Sequence, residues 1–380
     1  MEKERLLELA TQYKNESFSG RYIPVEDVNN FIAKFSEDQN RVIGKSVLGL
    51  PIYELHLGGG SIKVLMWSQM HGNETTTTKA LIDFIGFLQS NSAEAKEILS
   101  KISFSFVVLL NPDGAKIYTR SNLNEIDLNR DAQLCSQPES RAFKKLYMEF
   151  QPDYCFNLHD QRTIFGVGEP AKPATISFLS PAFNEDRGVN ENRIAGMQLI
   201  AYMNKSLQQI IPNQVGRYDD GFNLNCVGDT LQNLGIPTIL FEAGHFEDDY
   251  EREETRKLIL IALLKGSWGL SNKTHKHINY KDYFTIPENK KCFYDVILRN
   301  VGRQNIDLAI QYKETLKRNK IIFVPFLETL GCLKAYVGHK EMDVSGKKVI
   351  INRKEEWSEI TEIQELSVDG KECLVNLTKA

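Results

Sequence analysis

The stretch Ser68–Thr75 reads Ser-Gln-Met-His-Gly-Asn-Glu-Thr and follows directly on the apolar run Ile-Lys-Val-Leu-Met-Trp at residues 62–67. That run is short and nearly continuous, which is typical of a strand buried on both faces. His71 and Glu74 come where the strand gives way to a turn and then a helix. An imidazole and a carboxylate at this spacing can converge on one ion, which predicts two of three zinc ligands. Taken alone, the pair is equally consistent with two surface residues at the start of a helix.

A second apolar run supplies the candidate for the third ligand. Residues 154–158 read Tyr-Cys-Phe-Asn-Leu and end at His159, which is followed by Asp160. A zinc-bound imidazole is usually held in orientation by a carboxylate or a backbone carbonyl, so we expect Asp160 or a carbonyl to orient the ring of His159. The alternative is a buried histidine that is only hydrogen-bonded.

Two further segments end in charged side chains that packing does not explain. Asn-Pro-Asp-Gly at residues 111–114 leads to Arg120 and then to Asp-Leu-Asn-Arg at residues 127–130. Arginines are costly to bury unpaired, so these are either solvated or available for an anionic partner. The apolar run at residues 237–241 ends at Glu242. A carboxylate at the end of a buried strand is rarely there unless it is paired or functional.

Together these segments resemble the zinc metallocarboxypeptidases, a family to which the aspartoacylases and succinylglutamate desuccinylases are related. The resemblance spans roughly residues 40 to 265, and the segments occur in the family's order. They are Ile43-Gly44-Lys45-Ser46 with Gly49 and Ile52, the His-Gly-Asn-Glu cluster, Asn-Pro-Asp-Gly with Arg120 and Asp-Leu-Asn-Arg, the strand ending at His159, and the strand ending at Glu242. The resemblance implies that His71, Glu74 and His159 hold one zinc ion, with a water in the fourth position.

The same resemblance implies roles for five other side chains. Arg120 would polarise the scissile carbonyl and stabilise the oxyanion. Asn129 and Arg130 would bind the carboxylate of the substrate's C-terminal residue. Glu242 would act as general base and then as general acid. Tyr218 is the nearest match to the tyrosine that closes over the substrate, with ordinary loop packing as the alternative.

The chain departs from the family's pattern beside the proposed carboxylate site. Asp131 and Ala132 follow Arg130, where a polar and then an aromatic residue are usual. An additional acid here is expected to weaken the hold of Arg130 on an anion. Asp229 lies near the expected side-chain pocket, but it is also a candidate N-cap for the short helix before Gly235.

The fold class predicted from these patterns is α/β, with a mixed, mostly parallel central sheet flanked by helices and followed by a small all-β domain. We expect a catalytic domain at residues 1–275 and a β-rich domain at residues 280–380. The last helix of the first domain, which begins near residue 249, is expected to stop at Gly266. His275 and His277 resemble a short metal-binding tract, but because they lie in a polar stretch after the last helix we interpret them as linker residues. All proposed functional residues lie at strand ends or in the loops after them, where open α/β sheets bind ligands.

Composition excludes some classes of partner. The chain has 380 residues, a formal net charge of -4 and no run of basic residues, so we expect no nucleic-acid partner. No apolar run is long enough to span a bilayer and the N-terminus does not read as a signal peptide, so we expect no membrane association and a cytoplasmic location.

Six scattered cysteines argue against a disulfide framework. The oligomeric state is not determined by the sequence.

Three functions are consistent with these residues. The first is a zinc exopeptidase, or carboxypeptidase, that removes a C-terminal residue from a peptide or peptide-like amide. The second is a zinc-dependent deacylase of N-acyl amino acids, as in the aspartoacylase and succinylglutamate desuccinylase enzymes. The Asn-Pro-Asp-Gly segment and the long N-terminal part of the chain favour the peptidase. The third is an inactive binding module that retains the fold.

Overall fold

The computed structural model describes residues 1–373, which form two compact units. The first unit comprises Met1–Gln161 and Ala174–Asn289. The second comprises Arg162–Pro173 together with the described residues from Lys290 onwards. Sequence patterns gave no sign that the short segment Arg162–Pro173 leaves the first unit. The division into domains at residues 275–280 stays a prediction.

The regular elements alternate along the first two-thirds of the chain and are almost entirely strands after that. The helices are α1 (Lys3–Gln12), α2 (Val25–Ile32), α3 (Thr76–Leu88), α4 (Ala93–Lys101), α5 (Pro112–Ile117), α6 (Pro138–Phe150), α7 (Glu191–Leu207), α8 (Val227–Asn233) and α9 (Glu253–Ser271). Short 3-10 helices cover Leu128–Arg130, Thr274–His277 and Tyr280–Thr285.

The strands are β1 (Asn40–Lys45), β2 (Pro51–Leu57), β3 (Ile62–Trp67), β4 (Ile102–Val107), β5 (Tyr154–Asp160), β6 (Phe165–Val167), β7 (Lys172–Pro173), β8 (Ile176–Leu179), β9 (Val215–Arg217) and β10 (Thr238–Ala243). The remaining strands are β11 (Lys290–Lys291), β12 (Phe293–Val301), β13 (Ile306–Lys317), β14 (Lys320–Gly331), β15 (Val337–Asp343), β16 (Val349–Ile351), β17 (Thr361–Glu362), β18 (Leu366–Val368) and β19 (Lys371–Glu372).

The first unit is built on an eight-stranded sheet with the order β1-β2-β4-β3-β5-β10-β8-β9. Strands β4, β3, β5 and β10 are parallel neighbours, as are β8 and β9. The other three pairs are antiparallel. The predicted mixed, mostly parallel sheet is therefore confirmed. Because β3, β5 and β10 run in the same direction, their carboxyl ends lie at one edge of the sheet.

Alternating side chains of the central strands pack against helices on both faces. Along β3, Val64 and Met66 belong to the apolar cluster that includes residues of α1, α3, α7 and α9. Leu65 and Trp67 belong to a second cluster on the opposite face, where the ring of Trp67 lies 4.7 Å from that of Phe143 in α6. Burial on both faces explains why these strands read as continuous apolar runs.

Helix α9 does not stop at Gly266, so that prediction was wrong. The helix continues to Ser271 because its two late glycines serve packing rather than termination. A Cβ atom at Gly266 would lie 2.9 Å from the Met203 sulfur, and one at Gly269 would lie 2.6 Å from the Tyr202 ring. Both of those neighbours are in α7, so the glycines allow the two helices to approach closely.

The second unit consists of β-sheets, which confirms the predicted all-β C-terminal part. A five-stranded sheet has the order β15-β12-β13-β14-β17, and two three-stranded sheets have the orders β16-β18-β19 and β11-β6-β7. Its apolar cluster is formed by residues of β12, β13, β14, β16 and β18, among others. Within residues 1–373, no helix combines the length and apolar character needed to cross a bilayer.

A buried ion pair joins two helices of the first unit to its N-terminal segment. The Arg256 side chain in α9 donates hydrogen bonds of 2.6 and 2.7 Å to the Asp83 carboxylate in α3, and both side chains are buried. The same guanidinium donates to the backbone oxygens of Asn15, at 2.9 Å, and Phe18. Removing one partner of such a pair leaves an uncompensated charge in the core.

We therefore expect Asp83→Ala to lower the free energy of unfolding by about 3–5 kcal/mol, as measured by urea denaturation. The matched control is Asp219→Ala, because Asp219 is the exposed partner of Arg187 at 3.1 Å. Loss of this exposed pair is expected to cost less than about 1 kcal/mol. Equal effects of the two substitutions would contradict the structural role given to the Asp83–Arg256 pair.

Candidate metal centre

The three predicted ligands converge on one point. His71 and Glu74 lie in the loop between β3 and α3, and His159 lies near the end of β5. The Glu74 carboxylate places Oε1 2.7 Å from His71 Nδ1 and Oε2 2.7 Å from His159 Nδ1. All three side chains are buried, and one ligand atom from each lies within 4.8 Å of the others. The predicted convergence of three distant side chains is confirmed.

The arrangement of the two imidazoles fits a zinc ion. His71 Nδ1 and His159 Nδ1 lie 3.1 Å apart and face the same carboxylate. Two lone-pair nitrogens at this distance repel each other unless a proton or a cation lies between them. His159 Nε2 is buried and has no hydrogen-bond partner among residues 1–373. Two imidazole nitrogens and one carboxylate are a donor set that zinc prefers. His71, Glu74 and His159 therefore form a zinc-site-like triad.

The charges at the triad favour a bound cation. Burial alone would raise the pKa of Glu74, but the charges of His71 and His159 hold it well below its usual range. Burial opposes protonation of His71 too, yet the Glu74 charge and hydrogen bonds to Asp127 and Glu74 raise its pKa. Burial lowers the pKa of His159. The carboxylate thus stays ionised, and protons compete with a metal mainly at His71.

Asp127 orients the first imidazole, a role that the sequence analysis missed. Its Oδ1 atom lies 3.0 Å from His71 Nε2, which directs Nδ1 of that ring towards Glu74. The same carboxylate accepts a 3.1 Å hydrogen bond from Arg120 Nε and a 2.8 Å bond from the backbone N–H of Asn129. The sequence feature that could have indicated this role is the position of Asp127 as the first residue of Asp-Leu-Asn-Arg.

Asp160 does not orient His159, so that expectation was wrong. Its carboxylate accepts hydrogen bonds from the backbone N–H groups of Thr76, at 2.8 Å, and Thr77, at 3.1 Å. These are the first two residues of α3, whose N–H groups have no partner within the helix. Asp160 therefore caps α3, and it fixes the helix that follows Glu74 relative to the strand that carries His159.

Glu242 lies next to the triad because of strand register. In the parallel pair of β10 and β5, Glu242 is the Cα partner of His159, and in the antiparallel pair of β10 and β8 it is the partner of Ser177. The carboxylate is half-buried, and its Oε2 atom has no hydrogen-bond partner among the residues that the structure describes. A carboxylate oxygen without a partner beside a metal site is able to accept a proton.

The surroundings of Glu242 favour its protonated form. Burial raises its pKa well above the usual value, and the negative charges of Glu74 and Asp160 raise it further. The positive charges of Arg120 and Arg252 oppose this effect. Arg252 is buried and donates a 2.6 Å hydrogen bond to a backbone oxygen, so it is a fixed charge near the site.

The three predicted polar residues after α5 lie at the same end of the sheet. Arg120 is half exposed, and its Nη1 atom is 3.5 Å from Glu74 Oε1. Asn129 accepts a 3.0 Å hydrogen bond at Oδ1 from the backbone N–H of Val227, at the start of α8. Arg130 is exposed and donates a 2.7 Å bond to the backbone oxygen of Asn129. Arg120 is thus beside the triad, whereas Arg130 points its guanidinium to solvent.

Asp131 is not paired with Arg130, so the expected weakening of Arg130 has no basis in a direct contact. The Asp131 carboxylate is buried and accepts bonds of 2.9 Å from the backbone N–H groups of Ser136 and Gln137. Burial opposes a lower pKa for Asp131, but the hydrogen bonds that its carboxylate accepts outweigh that effect and lower it. Asp131 shapes the turn before α6 and leaves the exposed guanidinium of Arg130 to other partners.

Tyr218 borders the cleft at the end of β9. Its backbone N–H donates a 3.0 Å bond to the backbone oxygen of Phe178. Burial and the negative charges of Glu242 and Glu74 raise its pKa. A closing role for Tyr218 stays a prediction.

Asp229 is not an N-cap, so that interpretation was wrong. The N-cap of α8 is Cys226, and Asp229 is the third residue of the helix. Its carboxylate is buried, with a weak 3.4 Å contact from the backbone N–H of Asn223. Burial raises the pKa of Asp229 to about 6, although the charge of Arg130 acts in the opposite direction.

The second pair of histidines is not a metal tract. His275 is buried, and its Nδ1 atom lies 2.8 Å from the backbone oxygen of Gly269. Its Nε2 atom lies 3.4 Å from the hydroxyl of Tyr154. The linker interpretation was therefore wrong for His275, which packs within the first unit. In the part of the chain that the structure describes, the triad is the one group of three potential metal ligands that meet.

Comparison with known proteins agrees with this geometry. Residues 29–164 match the family model described as zinc carboxypeptidase. The chain is 28% identical over 138 residues to a probable carboxypeptidase 2 of Arthroderma benhamiae, covering 34% of this chain and 26% of that protein. It therefore spans about a quarter of the length of that relative. All three triad residues lie within residues 29–164, which match the family model, whereas Tyr218 and Glu242 lie outside that range.

Solved structures share the fold of the chain. A metallo-carboxypeptidase from Burkholderia cenocepacia superposes with a TM-score of 0.51 at 17% identity, covering 66% of this chain and 69% of that one. A putative carboxypeptidase A from Shewanella denitrificans superposes with a TM-score of 0.53 at 14% identity, covering 66% and 71%. At these identities the likeness concerns the fold.

Asp127→Asn is expected to weaken zinc affinity about 10- to 100-fold, because the ring of His71 loses the charged group that orients it. Isothermal titration with zinc after chelator treatment would measure this. Glu125→Gln is the control, since Glu125 is an exposed carboxylate in the same loop. An unchanged zinc affinity for Asp127→Asn would exclude this orienting role.

Asp229→Asn is expected to stabilise the protein at neutral pH. A raised pKa in the folded state means that the folded protein binds more protons than the unfolded chain between the usual Asp value and about 6, so stability falls as pH rises through this window. The substitution should add about 1–2 kcal/mol at pH 7.5 and little at pH 4. Urea denaturation at both pH values tests this, with exposed Asp219→Asn as control. A gain of the same size at pH 4 would contradict it.

Proposed function

The chain belongs to the zinc carboxypeptidase family, and on this premise we propose that it is a zinc-dependent hydrolase that cleaves the C-terminal amide bond of a peptide or peptide-like substrate. The observation that carries the proposal is the strand register that sets Glu242 beside His159. It brings a carboxylate with an unpartnered oxygen to the side of the zinc-site-like triad.

Glu242 is the proposed general base and acid. A zinc ion at the triad would lower the pKa of a water molecule from about 15.7 to roughly 7, and this is the chemistry that the metal supplies. Glu242 then accepts a proton at its unpartnered Oε2 atom and later delivers it to the leaving amine.

Arg120 is the proposed donor to the oxygen that becomes negative during the reaction. Its guanidinium is fixed by the 3.0 Å contact between Nη2 and Asp127 Oδ2, and it approaches Glu74 at 3.5 Å. Fixed donors of this kind need no reorganisation as charge develops, and removing one typically costs about 2.7–4 kcal/mol of barrier. Half of the Arg120 side chain is exposed, so a substrate can reach it.

Asn129 and Arg130 are the proposed site for the substrate's C-terminal carboxylate. Asn129 uses its Oδ1 atom to accept from Val227, which leaves the amide nitrogen to donate to a ligand. The guanidinium of Arg130 is exposed and can offer two parallel hydrogen bonds to a carboxylate. Because the buried carboxylate of Asp131 bonds to the turn before α6, it does not occupy Arg130.

The central prediction is that Glu242→Gln retains zinc but loses hydrolysis. The amide cannot accept the proton, and general base catalysis typically contributes about 10²–10⁴-fold to the rate. Turnover of a blocked dipeptide should fall by at least about 100-fold, with zinc content close to one equivalent by elemental analysis. The control is Glu247→Gln, an exposed carboxylate in the loop after β10. Turnover of Glu242→Gln within a few fold of wild type would remove Glu242 from the mechanism.

The bond that is cleaved can be identified from the products. A peptidase releases a free C-terminal amino acid from a blocked dipeptide, whereas a deacylase releases succinate or aspartate from an acylated amino acid. We expect amino-acid release from dipeptides varied at the last residue. Release only from acylated amino acids would replace the proposal by the deacylase alternative, and no cleavage by fully metallated protein would favour a binding module.

A further inference from the structure

A short turn, residues 122–126, lies between Arg120 and Asp127 and is closed by one side chain. The backbone N–H of Asn122 donates a 3.0 Å bond to the backbone oxygen of Ile126. The Oδ1 atom of Asn122 accepts 3.1 Å bonds from the backbone N–H groups of Asn124 and Ile126. Asn122 therefore holds the two ends of the turn together.

The same side chain attaches the turn to the start of α6. Its Nδ2 atom donates bonds of 2.9 Å to Gln137 Oε1 and 3.2 Å to Glu139 Oε2. Gln137 is the N-cap residue of α6, and Glu139 is the second residue of the helix. All three side chains are buried, whereas the other four residues of the turn are exposed. Asn122 is thus the residue through which an exposed turn is held to the helix.

These contacts use the full hydrogen-bonding capacity of the Asn122 amide. A primary amide has two N–H donors and an oxygen that can accept two bonds, and all four positions are occupied. A backbone N–H group can only donate, so the bonds from the turn identify which atom of the amide is the oxygen. Alanine at this position would make none of the four bonds, and aspartate would lack both donors.

The two residues that flank the turn meet beside the zinc-site-like triad. Arg120 Nε donates a 3.1 Å bond to Asp127 Oδ2, and Asp127 Oδ1 lies 3.0 Å from His71 Nε2. Arg120 Nη1 also lies 3.5 Å from Glu74 Oε1. The Arg120 side chain is half exposed, and ion pairs at such positions contribute little by themselves. The closed turn is therefore the stronger restraint on the distance between Arg120 and Asp127.

The backbone on the other side of Arg120 is held by α5. The N–H of Thr119 donates a 2.9 Å bond to the backbone oxygen of Gly114 in that helix. A Cβ atom at Gly72, in the loop between β3 and α3, would lie 2.0 Å from the carbonyl carbon of Gly114. Helix α5 thus packs directly against the loop that carries two triad residues. Arg120 lies between this contact and the attachment of Asn122 to α6.

We propose that Asn122 is a positioning residue that sets Arg120 and Asp127 beside the triad by closing the 122–126 turn and attaching it to α6. Its four side-chain bonds go to residues outside the triad, so it acts through its neighbours. Through Asp127 it fixes the orientation of the His71 ring. Through Arg120 it fixes the proposed donor to the reacting oxygen, and only this second part rests on the proposed function.

The restraint on the turn can be measured in the zinc-free protein by hydrogen exchange, with mass spectrometry of peptides that cover residues 121–127. We expect exchange there to be about 10-fold faster in Asn122→Ala, the scale of one lost hydrogen bond. Asn124→Ala is the matched control, because Asn124 is exposed and donates one 2.9 Å bond to the same Gln137 Oε1. It should exchange within about twofold of the wild type. Equal exchange in all three proteins would overturn the restraint.

The effect on the metal site is measured by isothermal titration with zinc after chelator treatment. Asn122→Ala is expected to bind zinc about 10-fold more weakly, the lower end of the range for residues that support metal ligands. If Asn122 acts through Asp127, the double variant Asn122→Ala/Asp127→Asn should match Asp127→Asn within about twofold. Losses that multiply, or an unchanged zinc affinity in Asn122→Ala, would contradict the positioning role.

A second variant covers the case in which Asn122→Ala does not fold cooperatively. Asn122→Asp retains the size of the side chain and both accepted bonds, and it loses only the two donors to α6. We expect it to weaken zinc binding in the same direction as Asn122→Ala. A cooperatively folded Asn122→Asp with the zinc affinity of the wild type would show that the attachment to α6 has no effect on the metal site, which overturns the proposal.

The part that concerns Arg120 is tested with zinc-saturated protein and a blocked dipeptide. We expect Asn122→Ala to lower kcat about 10-fold and to change KM less than threefold, because Arg120 is the proposed donor in the transition state. A rise in KM at unchanged kcat would overturn this part. A wild type without turnover would overturn the proposed function instead, and the exchange and zinc measurements would still decide the role of Asn122.

Discussion

The Glu74 carboxylate lies between two imidazole nitrogens, 2.7 Å from each, and the rest of the cleft is organised around this contact. Three polar groups are buried together, which is costly unless a proton or a cation neutralises them. The fold supports them with further charge and hydrogen bonds, since Asp127 orients His71 and Asp160 caps the helix that follows Glu74. The burial of these three polar groups therefore favours a bound cation at this point.

The pairing of the strands places a further carboxylate, Glu242, beside this contact. Parallel strands β3, β5 and β10 end at one edge, so that Trp67 pairs with Asn157 and His159 pairs with Glu242 although each pair is far apart in the chain. Glu242 is placed beside His159 by backbone pairing alone, and its carboxylate needs no loop to bring it there. On the other side of Glu242, Ser177 is its Cα partner in β8 and belongs to a closed ring of hydrogen bonds with Gln161 and Asn289. We infer that the cleft is preorganised before substrate binds.

Much of this was predictable from sequence because buried parallel strands have a distinctive signature. Continuous apolar runs that end in His159 or Glu242 identified both the strands and the chemistry at their ends. Side-chain pairing within the site was less accessible, since the local sequence does not show which of the carboxylates Asp127 and Asp160 contacts a histidine ring. The glycines in α9 were misread because their partners lie in α7. The hydrogen-bond ring was not predictable at all, since its three members share no sequence pattern and meet only through tertiary structure.

The most direct test of the account is an anomalous difference map, recorded at the zinc absorption edge, from crystals of the zinc-loaded protein. We expect a single strong peak bonded to His71, Glu74 and His159, with metal–nitrogen distances of about 2.0–2.1 Å and the Glu242 carboxylate facing its open side. A map with the main peak elsewhere, for example at His277, or with His159 turned away from the metal, would contradict it.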